Sequence, residues 1–168
     1  MKAILEQMNN DIIKFTPKIY TDNRIFNALI NDKEARAKYN LVKLELNIEP
    51  HVYLGFIKDI DLIAMFGNLI DNAVRAEKGT SLEEKIVKVS LYEAEGNFII
   101  FNVENHFENP VVRLGDRFLS TKNEIGEHGL GIESVKNLVE KYNGFLDLDI
   151  DEKNKIWISS LCITKVSS

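Results

Sequence analysis

Asn68-Leu-Ile-Asp71-Asn72-Ala-Val-Arg75 and Gly129-Leu-Gly131-Ile-Glu-Ser134-Val-Lys136 are the two stretches on which the fold of this chain turns. The pattern around the first predicts a helix from about Asp61 to Glu77. At about 100° per residue, Asp71, Asn72 and Arg75 fall within roughly 60° of Asn68 on either side. Leu62, Phe66, Leu69, Ala73 and Ala76 cluster on another arc, at alternating four- and three-residue steps. One stripe therefore packs on a core while a compact polar face looks elsewhere. Asn68 and Asn72 stand at i and i+4, so both amides reach one ligand. Solvated helix faces usually carry Lys and Glu. Asn and Asp are poor helix formers because their side chains compete for the backbone, so their density here calls for a reason.

The second stretch opens a helix. Ile132, Val135, Leu138, Val139 and Tyr142 form its apolar stripe, and Asn143-Gly144 stops it. Gly129 and Gly131 let a ligand come close to the backbone. The first turn of a helix offers unpaired N–H groups and the positive end of the dipole, which suits phosphate. An isolated Gly-x-Gly is also simply a turn into a helix. Taken together, the two stretches look like two halves of a nucleotide-phosphate and Mg²⁺ site.

Outward from these helices the periodicity changes. Met1 to Lys18 is a weakly amphipathic helical tail carrying Ile4, Met8, Ile12 and Ile13, and Thr16-Pro17 breaks it. Ile25, Phe26, Leu29 and Ile30 make a helix stripe after a start at Thr21-Asp22. Val42, Leu44, Leu46 and Ile48 alternate as a strand. Ile86–Tyr92 and Phe98–Val103 are two strands joined at Glu95-Gly96-Asn97, which has hairpin turn chemistry. Phe145–Ile150 and Ile156–Ile163 form a second hairpin through Asp151-Glu-Lys-Asn154. Asn105 to His128 shows no sustained period. An irregular stretch of that length inside a compact domain is uncommon and usually functional or disordered. Hairpins separated by amphipathic helices predict an α+β fold with the helices layered on one sheet face.

The chain has 168 residues, 45% hydrophobic and 28% charged, which suits one compact soluble domain. Its net charge of -5 argues against a nucleic-acid partner. The single cysteine, Cys162, excludes an internal disulfide and lies in an apolar strand pattern, as a small core residue would. No apolar run approaches the ~18 residues of a membrane span, and the N-terminus carries no secretory signal. His51, His106 and His128 show no ligand spacing with one another or with Cys162, so no zinc site is expected.

The order of these pieces resembles a known family. Gly67-Asn-Leu-Ile-Asp-Asn-Ala73, Phe118-Leu-Ser-Thr-Lys122 and His128-Gly-Leu-Gly-Ile132 through Lys141-Tyr-Asn-Gly144 are similar to the ATP-binding catalytic domain of sensor histidine kinases. That domain belongs to the GHKL superfamily (the Bergerat fold). The nearest resemblance is to quorum-sensing receptor kinases of the accessory-gene-regulator type. It covers roughly Ile19 to Val166, and its specificity lies in the combination of pieces. It implies a two-layer α/β sandwich with a mixed, mostly antiparallel sheet. Residues 1–18 would be a linker or the end of a dimerisation helix, and 19–168 the catalytic domain, with a lid at about 105–128.

The resemblance also implies roles. Asn72 matches the asparagine that binds Mg²⁺ through its amide oxygen, the kind of hard ligand this ion takes. Asn68 matches a position that carries a carboxylate in hydrolysing relatives. An amide cannot act as a general base, so attack by water is disfavoured. Phosphoryl transfer to a side chain stays open, being mostly positioning and charge neutralisation. Arg75 matches a phosphate-contacting cation. Gly129, Leu130 and Gly131 match the turn whose amides hold phosphates, and His128 precedes it. Ser120, Thr121 and Lys122 match the end of the lid, with Lys122 reaching the terminal phosphate as a point charge. Asn105 matches the group that binds the adenine amine, where the wider family has Asp-x-Gly-x-Gly. Here the run is Asn105-His-Phe-Glu-Asn109: both glycines of that box are missing, and Glu127 replaces the first glycine of the second. An asparagine oxygen still accepts that hydrogen bond, without charge assistance.

The expected activity is transfer of the ATP γ-phosphate to a histidine on a separate dimerisation helix, with a response regulator downstream. ATP and Mg²⁺ are the expected cofactors. The parent would be a membrane-embedded homodimer with this domain in the cytoplasm. Two alternatives stand beside it. One is an anti-sigma-factor serine kinase of the same fold. The other is an interaction module that keeps the fold and no longer binds nucleotide.

Overall fold

The structure, a computed structural model, describes residues 16–109, 111–114, 117–120 and 128–166, those at 111–120 and 128–130 by their backbone alone. The predicted tail falls almost wholly outside the described residues. The elements run α1 (Arg24–Tyr39), β1 (Lys43–Ile48), α2 (Asp59–Lys78), β2 (Ile86–Ala94), β3 (Phe98–His106), β4 (Val111–Leu114), β5 (Arg117–Ser120), α3 (His128–Glu140), β6 (Phe145–Asp151) and β7 (Ile156–Thr164). The main sheet has the order β1-β2-β3-β7-β6. Only β1 and β2 pair in parallel; the other three pairs are antiparallel. The helices cover one face, as expected of this α+β arrangement.

Period-two patterning sets that face. On β3, Ile99, Phe101, Val103 and Asn105 are buried while the residues between them are partly exposed. α2 lies over β2 and β3, and α3 over β6 and β7. Phe66 of α2 stacks on Phe101 with ring centroids 4.5 Å apart and meets Phe26 of α1 edge-on at 5.7 Å. These rings fasten both helices to the sheet, each pair adding about 0.5–1.5 kcal/mol beyond its buried area. The buried arc of α2 is wider than the sequence stripe. Met65 and Ile70 are also buried, because α1 and α3 flank the helix, and Glu77 is buried against the ends of β2 and β3, whereas Ala76 near the helix end is exposed.

Local chemistry explains the boundaries. α1 starts one residue later than Thr21-Asp22 suggests, with Asn23 Oδ1 accepting from the Phe26 N–H at 2.8 Å. The β2–β3 turn uses left-handed backbone at Gly96 (φ 82°) and Asn97 (φ 63°). β3 continues through His106, past the predicted end at Val103. Within the stretch that showed no period, β4 and β5 pair from Val111↔Ser120 to Leu114↔Arg117. Four-residue strands are too short to reveal a period. The expected lid at about 105–128 falls largely on positions outside the described residues or described by backbone alone. Cys162 is buried as expected, and burial pushes its thiol pKa up.

Gly144 allows α3 to turn tightly into β6. A Cβ there would lie 2.2 Å from the Cys162 carbonyl oxygen and 2.8 Å from Val139 Cγ2. The glycine answers to this close approach of β7, so the clash falls on backbone that cannot rotate away. We expect Gly144→Ala to cost about 1–3 kcal/mol, as overpacking does. For a chain of this length that lowers the melting temperature by roughly 2–12 °C. An unchanged melting temperature would show that the strand makes room freely.

Candidate functional site

α2 presents the asparagine pair. Asn68 and Asn72 are both partly buried, one turn apart on the helix. The amide nitrogen of Asn72 is sealed from solvent and has no hydrogen-bond partner among the described residues. Such a group ordinarily costs about 1–3 kcal/mol, so it marks a place where a ligand restores what folding removed.

The glycine turn comes close to it. A Cβ on Gly131 would lie 3.7 Å from Asn72 Nδ2 and 3.9 Å from its Oδ1. The first turn of α3 therefore abuts the Asn72 amide, and the two stretches that stand apart in sequence meet. A clamp at the far end fixes this register. The Tyr142 hydroxyl, just beyond α3, donates to Asp61 Oδ2 at 2.6 Å and accepts from the Lys58 N–H at 3.2 Å. Burial, and then the Asp61 carboxylate, push the Tyr142 phenol pKa up. From Asp61 to Asn72 and from Tyr142 back to Gly131 the rise is about 16 Å on each helix, so the antiparallel helices are pinned at both ends.

Asp71 departs from the sequence expectation. The helical wheel groups it with the polar face, but its carboxylate binds Lys33 Nζ of α1 at 2.6–2.7 Å. It stands about 100° from Asn72, on the side where α1 packs rather than α3. Arg75 is exposed in the last turn of α2.

The sheet supplies the floor. Asn105 lies next to the end of β3, 6% exposed on the helix-covered face, with Nδ2 donating to the His106 carbonyl at 2.9 Å. Glu77 of α2 holds this strand end in place. Its buried carboxylate accepts from the His106 N–H at 2.6 Å and the Ile86 N–H at 3.1 Å, and His106 Nδ1 lies 3.0 Å from it. Across the ladder, Trp157 of β7 pairs with Asn105.

Of the other predicted positions, Ser120 ends β5, and His128, Gly129 and Leu130 form the first turn of α3 by backbone. Thr121 and Lys122 lie outside the described residues. Glu77, Lys33 and Trp157 escaped the sequence reading. A lone Glu at a helix end, a Lys on an amphipathic helix and a Trp in a strand are ordinary until the register across elements is known. The chain's only tryptophan, placed near the start of a strand, was the one available signal.

Comparison with known proteins gives one family match and a set of similar folds. The family model described as GHKL domain matches residues 57–164. Among curated proteins none matches the sequence. Among solved structures, the chain is similar to the Acinetobacter baumannii histidine kinase AdeS at 17% identity and a TM-score of 0.59, covering 85% of this chain and 64% of that one. The chain thus spans less than two thirds of that kinase's length. A mycobacterial sensor histidine kinase, MprB, gives 19% identity and a TM-score of 0.63 over 82% of this chain and 94% of the other. Full-length ShkA, solved in complex with AMPPNP, gives 12% and 0.62 over 86% and 30%. At these identities the likeness is one of fold.

Proposed function

The chain belongs to the GHKL domain family, and on that footing we propose that it is the ATP-binding catalytic domain of a two-component sensor histidine kinase. In this reading it transfers the γ-phosphate of ATP to a histidine on a separate dimerisation helix of its parent. The observation that carries it is the sealed, unpartnered amide of Asn72 against the glycine turn. The two ends of an amide suit the two components of a magnesium nucleotide: the nitrogen donates to a phosphate oxygen, and the oxygen is a hard ligand for Mg²⁺. Among the described residues no group of three His, Cys, Asp or Glu side chains converges on one point. Mg²⁺ is a cation that takes few protein ligands and shares phosphate oxygens, and one amide oxygen is a ligand it accepts.

The residues that would hold Mg-ATP are Asn68, Asn72, Arg75 and Asn105, the α3 turn from His128 through Gly131, and Ser120, Thr121 and Lys122. Bound there, ATP would supply the phosphoryl group and Mg²⁺ would neutralise charge on its oxygens. Asn68 offers an amide where hydrolysis would need a base, so it positions and does not activate water. We place residues 1–18 as a linker or the end of a dimerisation helix and 105–128 as the lid of the domain, with a response regulator downstream. The parent is a membrane-bound receptor kinase, of the quorum-sensing kind, with this domain on its cytoplasmic side. Among the described residues no helix is long and apolar enough to cross a membrane.

Two measurements test this. Millimolar Mg-ATP should raise the melting temperature of the chain by mass action; at about one hundred times Kd the gain is ~2.7 kcal/mol. Labelled ATP should leave no acid-labile label on His51, His106 or His128 of the isolated chain, and should label a histidine-bearing dimerisation helix supplied with it. The absence of any melting shift would sink the kinase reading in favour of an interaction module. Label on one of the chain's own histidines would overturn the separate-acceptor arrangement.

A further inference from the structure

The face of the main sheet turned away from the helices carries an apolar row. Tyr92, Ile100, Cys162 and Phe145 are cross-strand neighbours on it, one from each of four adjacent strands. At ~4.8 Å per strand the row is about 14 Å long. Phe145 is 58% exposed, and Phe98, two residues before Ile100 on the same face of β3, is 38% exposed. Cys162 between Ile100 and Phe145 is nevertheless buried, so the flanking side chains close over it. Oδ1 of Asn102, next along β3 on this face, is also sealed from solvent. The outer face of an antiparallel sheet ordinarily alternates to polar residues, whereas a contiguous apolar patch rimmed by charge marks a contact surface.

The rim has a single sign where the row ends. Asp147 and Asp149 follow Phe145 on the same face of β6, and both are exposed. Among the described residues neither carboxylate has a cation within ion-pairing distance. At the opposite edge of the sheet Lys43 pairs with Glu45 of its own strand, so charge there is balanced. Addition of a strand along β6 is disfavoured. Asp149 Oδ1 already accepts from the Ile150 N–H at 2.8 Å, and charged side chains on an edge discourage further pairing. A helix lying across the face meets no such bar. We propose that this face docks a basic amphipathic helix of another protein, its apolar stripe on the row from Tyr92 to Phe145 and its cations along Asp147 and Asp149. Opposite charge steers such a partner and fixes its orientation. Phe145 is the anchor, because aromatic side chains are enriched in the buried centre of such contacts. The face lies opposite the helices that present Asn72 and Gly131, so this proposal stands independently of the nucleotide reading.

The full chain, labelled with nitrogen-15, is titrated with synthetic peptides of equal length: one of Leu and Lys at helical spacing, its Leu and Glu counterpart, and oligolysine. The Leu-Lys peptide should move the amide signals of β3, β6 and β7 around Ile100, Phe145 and Cys162 and leave those of Asn72 and Gly131 in place. The Leu-Glu peptide should not bind. Phe145→Ser should weaken the Leu-Lys peptide by roughly tenfold, and so should Asp147→Asn combined with Asp149→Asn. These side chains are exposed, so the variants should keep the wild-type spectrum. No binding of the Leu-Lys peptide, or signals that move elsewhere on the chain, overturns the proposal. Oligolysine that binds as tightly overturns it too, since charge alone would then suffice. So does a Leu-Glu peptide that binds equally well, which would leave the face without a charge preference. Signal changes in these strands on concentrating the chain alone would make a second copy the occupant and overturn the proposal as well. The peptide mapping uses the wild-type chain, so its outcome does not depend on the variants folding.

Discussion

Asn72→Ala should remove most of the melting shift expected of the wild-type chain with Mg-ATP and should leave the ligand-free protein at least as stable. Both halves follow from one atom. The Asn72 nitrogen is sealed without a partner, so its burial is a cost in the free protein, and deleting the amide relieves that cost. In the complex the same amide would meet charged partners, where a hydrogen bond is worth about 1.5–3 kcal/mol. Losing it should weaken Mg-nucleotide by roughly 10- to 100-fold. Nucleotide that gave ~2.7 kcal/mol at one hundred times Kd would then give only about 0.4–1.4 kcal/mol. Lys153→Ala, on the exposed β6–β7 turn, is the control and should keep the full shift. An Asn72→Ala chain with the wild-type shift would place the nucleotide elsewhere. A variant that loses the shift and also melts well below wild type would make Asn72 a structural residue.

Glu77→Ala has the largest expected effect on folding itself. The carboxylate is fully buried and satisfies the N–H groups that open β2 and close β3. Alanine leaves those donors buried and unpaired, each at a cost of about 1–3 kcal/mol, and opens a cavity as well. A loss of about 3 kcal/mol or more lowers the melting temperature by at least roughly 6 °C in a chain of this length. Glu77→Gln keeps one acceptor oxygen and sets an amide NH₂ against a second donor, so it should fall between wild type and alanine. Since His106 follows Asn105, the alanine variant should also weaken nucleotide binding beyond what its stability loss explains. A Glu77→Ala chain that melts with the wild type would show that water replaces the carboxylate at no cost.

Particular residues show how much was legible. The asparagine helix, the glycine helix and both hairpins were readable because each writes its period into neighbouring residues. α2 came out at Asp59–Lys78 against an expected Asp61 to Glu77. The β4–β5 ladder was illegible because four residues hold too little pattern. Asp71 was misplaced for a different reason. A helical wheel gives the angle of a side chain but not which neighbour occupies that angle, and here it was α1 with Lys33.

What the sequence determined by itself was therefore local: which segments are helix or strand, which face of each is apolar, and which side chains carry ligand chemistry. Tertiary structure alone decided what meets what. It set the Gly131 turn against the Asn72 amide, placed Trp157 across from Asn105, aimed the Glu77 carboxylate at two strand ends, and brought Cys162 so close to Gly144 that no side chain fits. The physical reason is that periodicity is fixed by bonds along the chain. Register between elements is fixed by packing and hydrogen bonds between residues far apart in it, and those contacts exist only once the core has closed.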